Sequence, residues 1–171
     1  MKKLLAIVLA VAMMLVFAVP ALATTVATRD LIIDGGDTRT VIGDITVDCT
    51  AGVITVTYNE DDALTWDIVD THVYIDDAVP YKHSPGRFPY KAGDSSPVFS
   101  PTTVVYIAFH AEVAMLDGAG NPLLDAELNP IYETAWAQWE TVTPAVDKLF
   151  RGNSGSGRGN AWATFFTVTV P

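Results

Sequence analysis

The sequence predicts an all-β protein, an antiparallel two-sheet β-sandwich of the Ig-like or jelly-roll-like kind. Three observations support this prediction. Apolar and polar residues alternate over short stretches, these stretches are rich in Val, Ile, Thr and aromatic residues, and connections containing Gly, Pro and Asp separate them. Six or seven such strands in roughly 150 residues are typical of a sandwich domain.

The N-terminal segment, residues 1–23, is predicted to be a secretory signal peptide. Lys2 and Lys3 precede an unbroken apolar run, Leu4–Val19, and Ala21-Leu22-Ala23 supplies the small-x-small pattern that signal peptidase cleaves. A membrane-spanning helix needs about twenty apolar residues, and this run is shorter. We therefore expect an exported protein that is secreted or associated with the cell surface, with no integral membrane span after removal of this segment.

The remaining residues, 24–171, are expected to form a single domain. Ala51-Gly52 indicates the tight turn of a hairpin, and the composition of Asp117–Asn121 indicates another turn. The alternation predicts strands, in chain order, at Arg29–Ile33, Thr40–Cys49, Val53–Asn59, Thr65–Ile75, Thr103–Met115, Tyr132–Trp139 and Asn160–Val170.

Three stretches depart from the strand pattern. Pro80–Pro101 contains five prolines, which exclude a central strand because proline cannot donate a hydrogen bond to a sheet. Thr143 as N-cap and Pro144 in the first turn predict one short helix over residues 144–150. Arg151–Asn160 is rich in Gly and Ser and is predicted to be a flexible loop.

The charge balance narrows the class of partner. The chain has 10 Lys and Arg against 20 Asp and Glu, a net charge of −10, and loss of Lys2 and Lys3 would leave it more acidic. Such a surface repels nucleic acid and anionic membranes, so neither is expected as a partner. Cys49, the single cysteine, alternates with apolar Ile45 and Val47, which predicts a buried thiol. The motifs indicate no cofactor, and calcium is left open.

A zinc site is one hypothesis for the chemistry. On strand Thr103–Met115, His110 and Glu112 point away from a wholly apolar face, and on Thr65–Ile75 one face carries Trp66, Ile68, Asp70, His72 and Tyr74. If the two strands are neighbours, His72, His110 and Glu112 could bind a metal or form an acid–base pair. The alternative is that each histidine is an ordinary strand residue hydrogen-bonded to its neighbours.

A calcium site is a second hypothesis. Carboxylate and amide oxygens in loops are the ligands that calcium prefers, and no EF-hand pattern is present. Solvated loop charge is the competing interpretation. The candidate ligands lie in predicted loops and are Asp61, Asp76, Asp77, Asp117 and Asn121.

Aromatic residues suggest a third kind of site. Trp136 and Trp139 are an odd number of residues apart, so in one strand they would point to opposite faces. With Tyr74, an outward-facing ring could stack on the apolar face of a sugar, and ordinary packing is the alternative.

Several segments together resemble a group of exported bacterial β-domains of unknown function that end in an "ETAWA…NWATYFTY"-like pattern. The resemblance runs from about Thr71 to the C-terminus and implies export and a β fold, but no catalytic residue. This chain differs by an extra Ala161 and by a longer spacer after Trp136. The matching segments are Thr71–Ile75, Pro85–Tyr90, Tyr106–Ala111, Glu133–Ala137 and Asn160–Phe166.

The functional expectation is a secreted, non-catalytic binding or structural module with a glycan or surface-protein partner. Two alternatives stay open. One is a small metal-dependent hydrolase that uses His72, His110 and Glu112. The other is a self-assembling surface subunit in which an edge strand such as Asn160–Val170 pairs with another copy.

Overall fold

A computed structural model describes residues 22–34, 39–60, 65–80, 85–137, 148–149 and 164–171. This part of the chain is all-β, and its strands form one antiparallel sheet that is nearly closed into a barrel. The strands are β1 Thr24–Asp34, β2 Arg39–Thr50, β3 Val53–Glu60, β4 Trp66–Asp76, β5 Ser95–Val98, β6 Val104–Met115, β7 Tyr132–Ala137, β8 Lys148–Leu149 and β9 Thr164–Thr169.

Strand pairing explains the curvature of the sheet. The order runs β5-β3-β2-β1-β7-β6, and β6 also pairs with β4 along one edge and with β9 beyond β7 on the other. The segment before β5 connects the two ends of this order. Tyr90 forms a bridge with Val73 of β4, and the Gly93 amide donates to the Val56 carbonyl of β3 at 2.8 Å. This segment therefore bridges β4 and β3 across the opening of the nearly closed sheet.

The predicted division into two sheets is not confirmed. All described strands are connected by hydrogen-bonded pairs into a single sheet, with the long strand β6 contacting three neighbours. Alternation of apolar and polar residues is the same in a sandwich and in a barrel, because both bury one face of each strand. The choice between them depends on pairing, which a strand pattern does not specify.

The predicted helix over residues 144–150 is wrong where the structure describes it. Lys148 and Leu149 form β8, which pairs with Phe165 and Thr164 of β9. Pairing with a neighbouring strand has overridden the local helix signal, as tertiary context often does. Residues 144–147 and 150 lie outside the described part. Within that part, the one helical element is a three-residue 3-10 turn, Pro85–Arg87.

The predicted strands are otherwise found, with ends shifted by a few residues. Strand β1 is longer than expected, and residues 138–139 and 160–163 of two predicted strands lie outside the described part. The proline-rich stretch does contain a short strand, β5, which includes Pro97. It lies at the end of the sheet order and pairs with β3, in agreement with the exclusion of a central strand.

Alternate residues of the strands fill the barrel with apolar side chains. Cys49 lies in this core as a free, buried thiol, as predicted. The largest fully buried side chains are Phe109, Phe166, Leu31, Ile45, Ile54, Ile107, Val47, Val56, Val73, Val105, Val113 and Val170. A second apolar cluster covers the outer face of the barrel and consists of Phe88, Ala108, Trp136 and Phe165, flanked by Tyr74 and Tyr106.

The Ala51-Gly52 turn joins β2 to β3 as predicted. Thr50 pairs with Val53, and both turn residues have positive φ, 49° and 82°, which matches the twist of the two strands. A Cβ atom on Gly52 would lie 2.3 Å from the Phe99 carbonyl oxygen. Glycine is thus required here for both its backbone angle and its size.

Candidate functional site

The outer face of β4, β6 and β7 brings several candidate residues together. His72 lies directly opposite His110, and His110 lies opposite Trp136. The His72 and His110 ring centroids are 5.7 Å apart. Glu112 occupies the next outward position on β6, opposite Asp70. The neighbouring arrangement of the two histidine strands, on which the zinc hypothesis depended, is therefore present.

His72 is held between an anion and a cation. Its Nε2 lies 3.2 Å from Asp70 Oδ2, and its Nδ1 lies 3.3 Å from Lys91 Nζ. Lys91 also donates to Asp70, and this hydrogen bond is the main reason that the pKa of Asp70 is below its ordinary value. A neutral ring that donates from Nε2 and accepts at Nδ1 satisfies both contacts. Both ring nitrogens are then engaged by protein groups.

His110 has a different environment. Burial lowers the pKa of His110 to about 4, with a smaller contribution from repulsion by a protonated His72, so the His110 ring is neutral at neutral pH. The Trp136 ring lies edge-on with its centroid 4.9 Å away. The His110 Nδ1 atom is buried without a hydrogen-bond partner.

The geometry supports the pairing of the two histidines but no further part of the zinc hypothesis. Glu112 is exposed, and among the residues that the structure describes no group of three or more His, Cys, Asp and Glu side chains could hold a metal. The metal site at His72, His110 and Glu112 therefore stays a prediction.

The calcium candidates are separated. Asp76 is the last residue of β4 and Asp77 follows it, whereas Asp117 and Asn121 lie just beyond the end of β6 that pairs with the start of β4. Asp117 Oδ1 accepts the backbone amides of Ala119 and Asn121, at 2.8 and 2.9 Å. These N–H donors engage Oδ1, so this carboxylate already has a structural role in its own turn. Asp61 lies outside the described residues.

An internal repeat, which the strand pattern does not predict, follows β6. The pattern Leu-Asp-x-x-x-Asn-Pro occurs at Leu116–Pro122 and again at Leu124–Pro130. In the second copy Asp125 Oδ1 accepts the amides of Glu127 and Asn129, both at 2.9 Å, as Asp117 does in the first. The recurrence of Asp, Asn and Pro eight residues apart was a readable signal.

The two turns are fastened to each other through their backbones. Leu123 N donates to Met115 O, Ile131 N donates to Leu123 O, and Met115 N donates to Ile131 O, at 2.7, 2.9 and 3.0 Å. These three bonds form a closed ring. The tandem turns are therefore a hydrogen-bonded unit. Leu116, Leu124 and Tyr132 follow the three bonded residues in the chain and so lie on adjacent backbone segments.

This unit and the first residue of β7 present apolar side chains to solvent. Leu124, Leu128 and Tyr132 are exposed by 49%, 76% and 47%. Leu128 has a φ of 67°, in the left-handed region, whereas the equivalent residue of the first turn is Gly120 with a φ of 80°. A left-handed leucine is strained by about 1–2 kcal/mol. We call Leu124, Leu128 and Tyr132 the tip surface.

The aromatic candidates do not form an open platform. Trp136 points out of the barrel, yet it is only 5% exposed because the second apolar cluster covers it. Tyr74 is half-buried, its ring contacts Phe88, and its hydroxyl donates to the Ala78 carbonyl at 2.8 Å. Burial and the charges of Asp76 and Asp77 raise the pKa of Tyr74. Trp139 lies outside the described residues.

No protein-family model, no curated protein and no solved structure matches this chain. Within the described part, no helix has the length and apolar character needed to cross a membrane.

Proposed function

We propose that this protein is an exported, non-catalytic binding module that acts outside the cell or at its surface. The observation that supports it is the tip surface, which consists of two exposed leucines on a hydrogen-bonded pair of turns and the exposed Tyr132 at the start of β7. Exposed apolar residues on an ordered loop are typical of interaction sites, and loops held by a rigid scaffold often carry binding residues.

The strain at Leu128 favours a functional role for this residue. Gly120 shows that the turn accepts glycine at the equivalent position, where the backbone angle costs little. The left-handed backbone of Leu128 lowers the stability of the fold, and its exposed side chain buries little apolar surface that could offset this cost. Strained residues of this kind cluster at binding sites, where the side chain contributes to a contact with a partner.

Export is proposed from the N-terminal segment. Strand β1 begins at Thr24, so cleavage after Ala23 would leave every described strand intact. The acidic composition suits a secreted protein, because net charge keeps it soluble. A protein partner fits the tip surface better than a glycan does, since Tyr132 is its one aromatic ring and Trp136 is covered.

Binding to peptide and glycan arrays tests the proposal, with the full chain expressed and purified in the form that accumulates. Mass spectrometry of that material is expected to show loss of residues 1–23. The variant Leu124→Ser, Leu128→Asn and Tyr132→Thr removes the tip surface, with asparagine chosen because it tolerates left-handed φ. The control replaces three comparably exposed valines elsewhere, as Val41→Thr, Val79→Thr and Val104→Thr.

We expect array binding that the tip variant loses and the valine control keeps. An absence of binding by the unmodified protein, or binding that the tip variant retains, would contradict the proposal. Turnover of ester, peptide or glycoside substrates that chelation and His72→Ala both abolish would replace it with the hydrolase alternative.

A further inference from the structure

We infer that the partner of the tip surface is a cationic polypeptide segment that carries apolar side chains. This inference rests on the proposed function and adds the chemistry of the partner.

The chain segment that includes the tip surface carries charged side chains of a single sign. No Lys or Arg occurs between Lys91 and Lys148. The acidic residues in that interval are Asp94, Glu112, Asp117, Asp125, Glu127, Glu133, Glu140 and Asp147. Within this interval, therefore, no basic side chain offsets the charge of the carboxylates.

Four of these acids belong to the tandem turns or adjoin Tyr132. Asp125 is exposed and Asp117 is half-buried. Backbone N–H donors in their own turns lower the pKa of both, which keeps them ionised at neutral pH. Glu127 lies next to Leu128 in the chain, Glu133 lies next to Tyr132, and both are exposed.

The neighbouring strands extend the acidic rim. Tyr132 pairs with Ala114 of β6, which pairs in turn with the exposed Asp67 of β4. In the adjacent row Glu112 lies opposite Asp70, and Lys91 neutralises only Asp70. Exposed carboxylates thus continue from the tip surface onto the outer face of the barrel.

Apolar residues within a polar rim are the usual composition of a protein interface. The acidic sign of this rim attracts a cationic partner and repels nucleic acid, anionic glycans and anionic membranes. A second copy of this chain would carry the same negative charge. A basic polypeptide with apolar side chains can contact the apolar tip surface and pair its positive charges with the acidic rim.

Fluorescence anisotropy with a labelled peptide of lysine, leucine and glycine tests the inference on the full chain. One control peptide has glutamate in place of lysine, and another has glycine in place of leucine. We expect the lysine–leucine peptide to bind at least about tenfold more tightly than either control, with an affinity that falls as salt is added.

Three variants separate binding from folding. Leu128→Ala removes the apolar side chain and keeps the strained backbone, whereas Leu128→Gly removes both. Each is expected to weaken binding about fivefold to tenfold, and only Leu128→Gly is expected to raise the melting temperature. Gly120→Ala, which has open space around its Cβ, should lower the melting temperature and leave the affinity unchanged.

The outcomes distinguish this inference from the proposed function. Equal binding of the leucine-free peptide, or binding that both Leu128 variants retain, would overturn the inference. If the tip surface instead binds a neutral glycan or an acidic peptide, the inference fails while the proposed function stands. If no ligand on the arrays binds and the lysine–leucine peptide fails too, both are wrong.

Discussion

His110 illustrates how one buried side chain can link stability to pH. Its ring lies between His72 and Trp136, with one nitrogen buried and without a hydrogen-bond partner. A charged imidazolium in this position would lose hydration and would lie close to the Lys91–Asp70–His72 group. The folded state therefore favours the neutral ring.

The free energy of unfolding is expected to fall as pH decreases from 6.5 to about 4. Above the ordinary pKa of 6.5 His110 is neutral in both states, and below it the unfolded chain gains a proton that the folded chain refuses until about pH 4. The full difference corresponds to about 3 kcal/mol. Denaturant titrations at several pH values measure it, and His110→Gln should remove this part of the decline.

His72→Gln is the matched control, since it keeps His110 in place and should keep most of the decline. An equally steep loss of stability in His110→Gln would show that His110 does not cause it.

At the scale of elements, one irregularity decides which residues share a face. A register shift between Ile68 and Asp70 interrupts the alternation of β4. Before it Trp66 and Ile68 pack against the core, and after it Thr71, Val73 and Ile75 point inward. Strict alternation had placed Trp66 and Ile68 on one face with His72, and this part of the prediction is wrong. A β-bulge shifts side chains to the opposite face.

Two glycines in turns allow the cost of backbone strain to be distinguished from the cost of a steric clash at the added Cβ atom. Gly52 and Gly93 have φ values of 82° and 86°, but only Gly52 would place a Cβ against the Phe99 carbonyl oxygen. Gly93→Ala is expected to cost about 1 kcal/mol from strain alone. Gly52→Ala should cost about 3 kcal/mol, because a backbone shift is also needed.

Urea denaturation of the two variants measures this difference. Equal costs at the two positions would mean that the turn can move away from Phe99 without loss.

At the scale of the whole molecule, calcium-ligand candidates that the sequence allowed to be grouped lie far apart. Asp76 ends β4, while Asp117 lies near the β6 end that pairs with Trp66, the first residue of β4. Eleven extended residues between these ends span roughly 30 Å, so one ion cannot bind both. A single calcium site made from the two groups is therefore excluded by the length of β4.

Restoring calcium after EDTA treatment is expected to leave the melting temperature unchanged. A ligand that binds the folded state would raise it by mass action. Asp117→Ala should lower the melting temperature in the presence and absence of calcium alike, since the carboxylate caps its own turn. A calcium-dependent rise would contradict this expectation and would direct attention to Asp61.

The sequence by itself determined the β class, most strand positions, the hairpin at Ala51-Gly52 and the burial of Cys49. These features depend on local alternation and turn chemistry, which are written in neighbouring residues. Of the candidate site, it identified His110 as outward-facing, and the pairing of His110 with His72 followed once β4 and β6 were neighbours.

Only the tertiary structure decided that the strands form one nearly closed sheet, that Lys148 and Leu149 form a strand, and that Trp136 is covered. Each of these depends on contacts between residues far apart in the chain, and a period-two pattern is the same whichever strand lies beside it. The tip surface belongs to this second group, because the ring of hydrogen bonds among Met115, Leu123 and Ile131 brings its segments together.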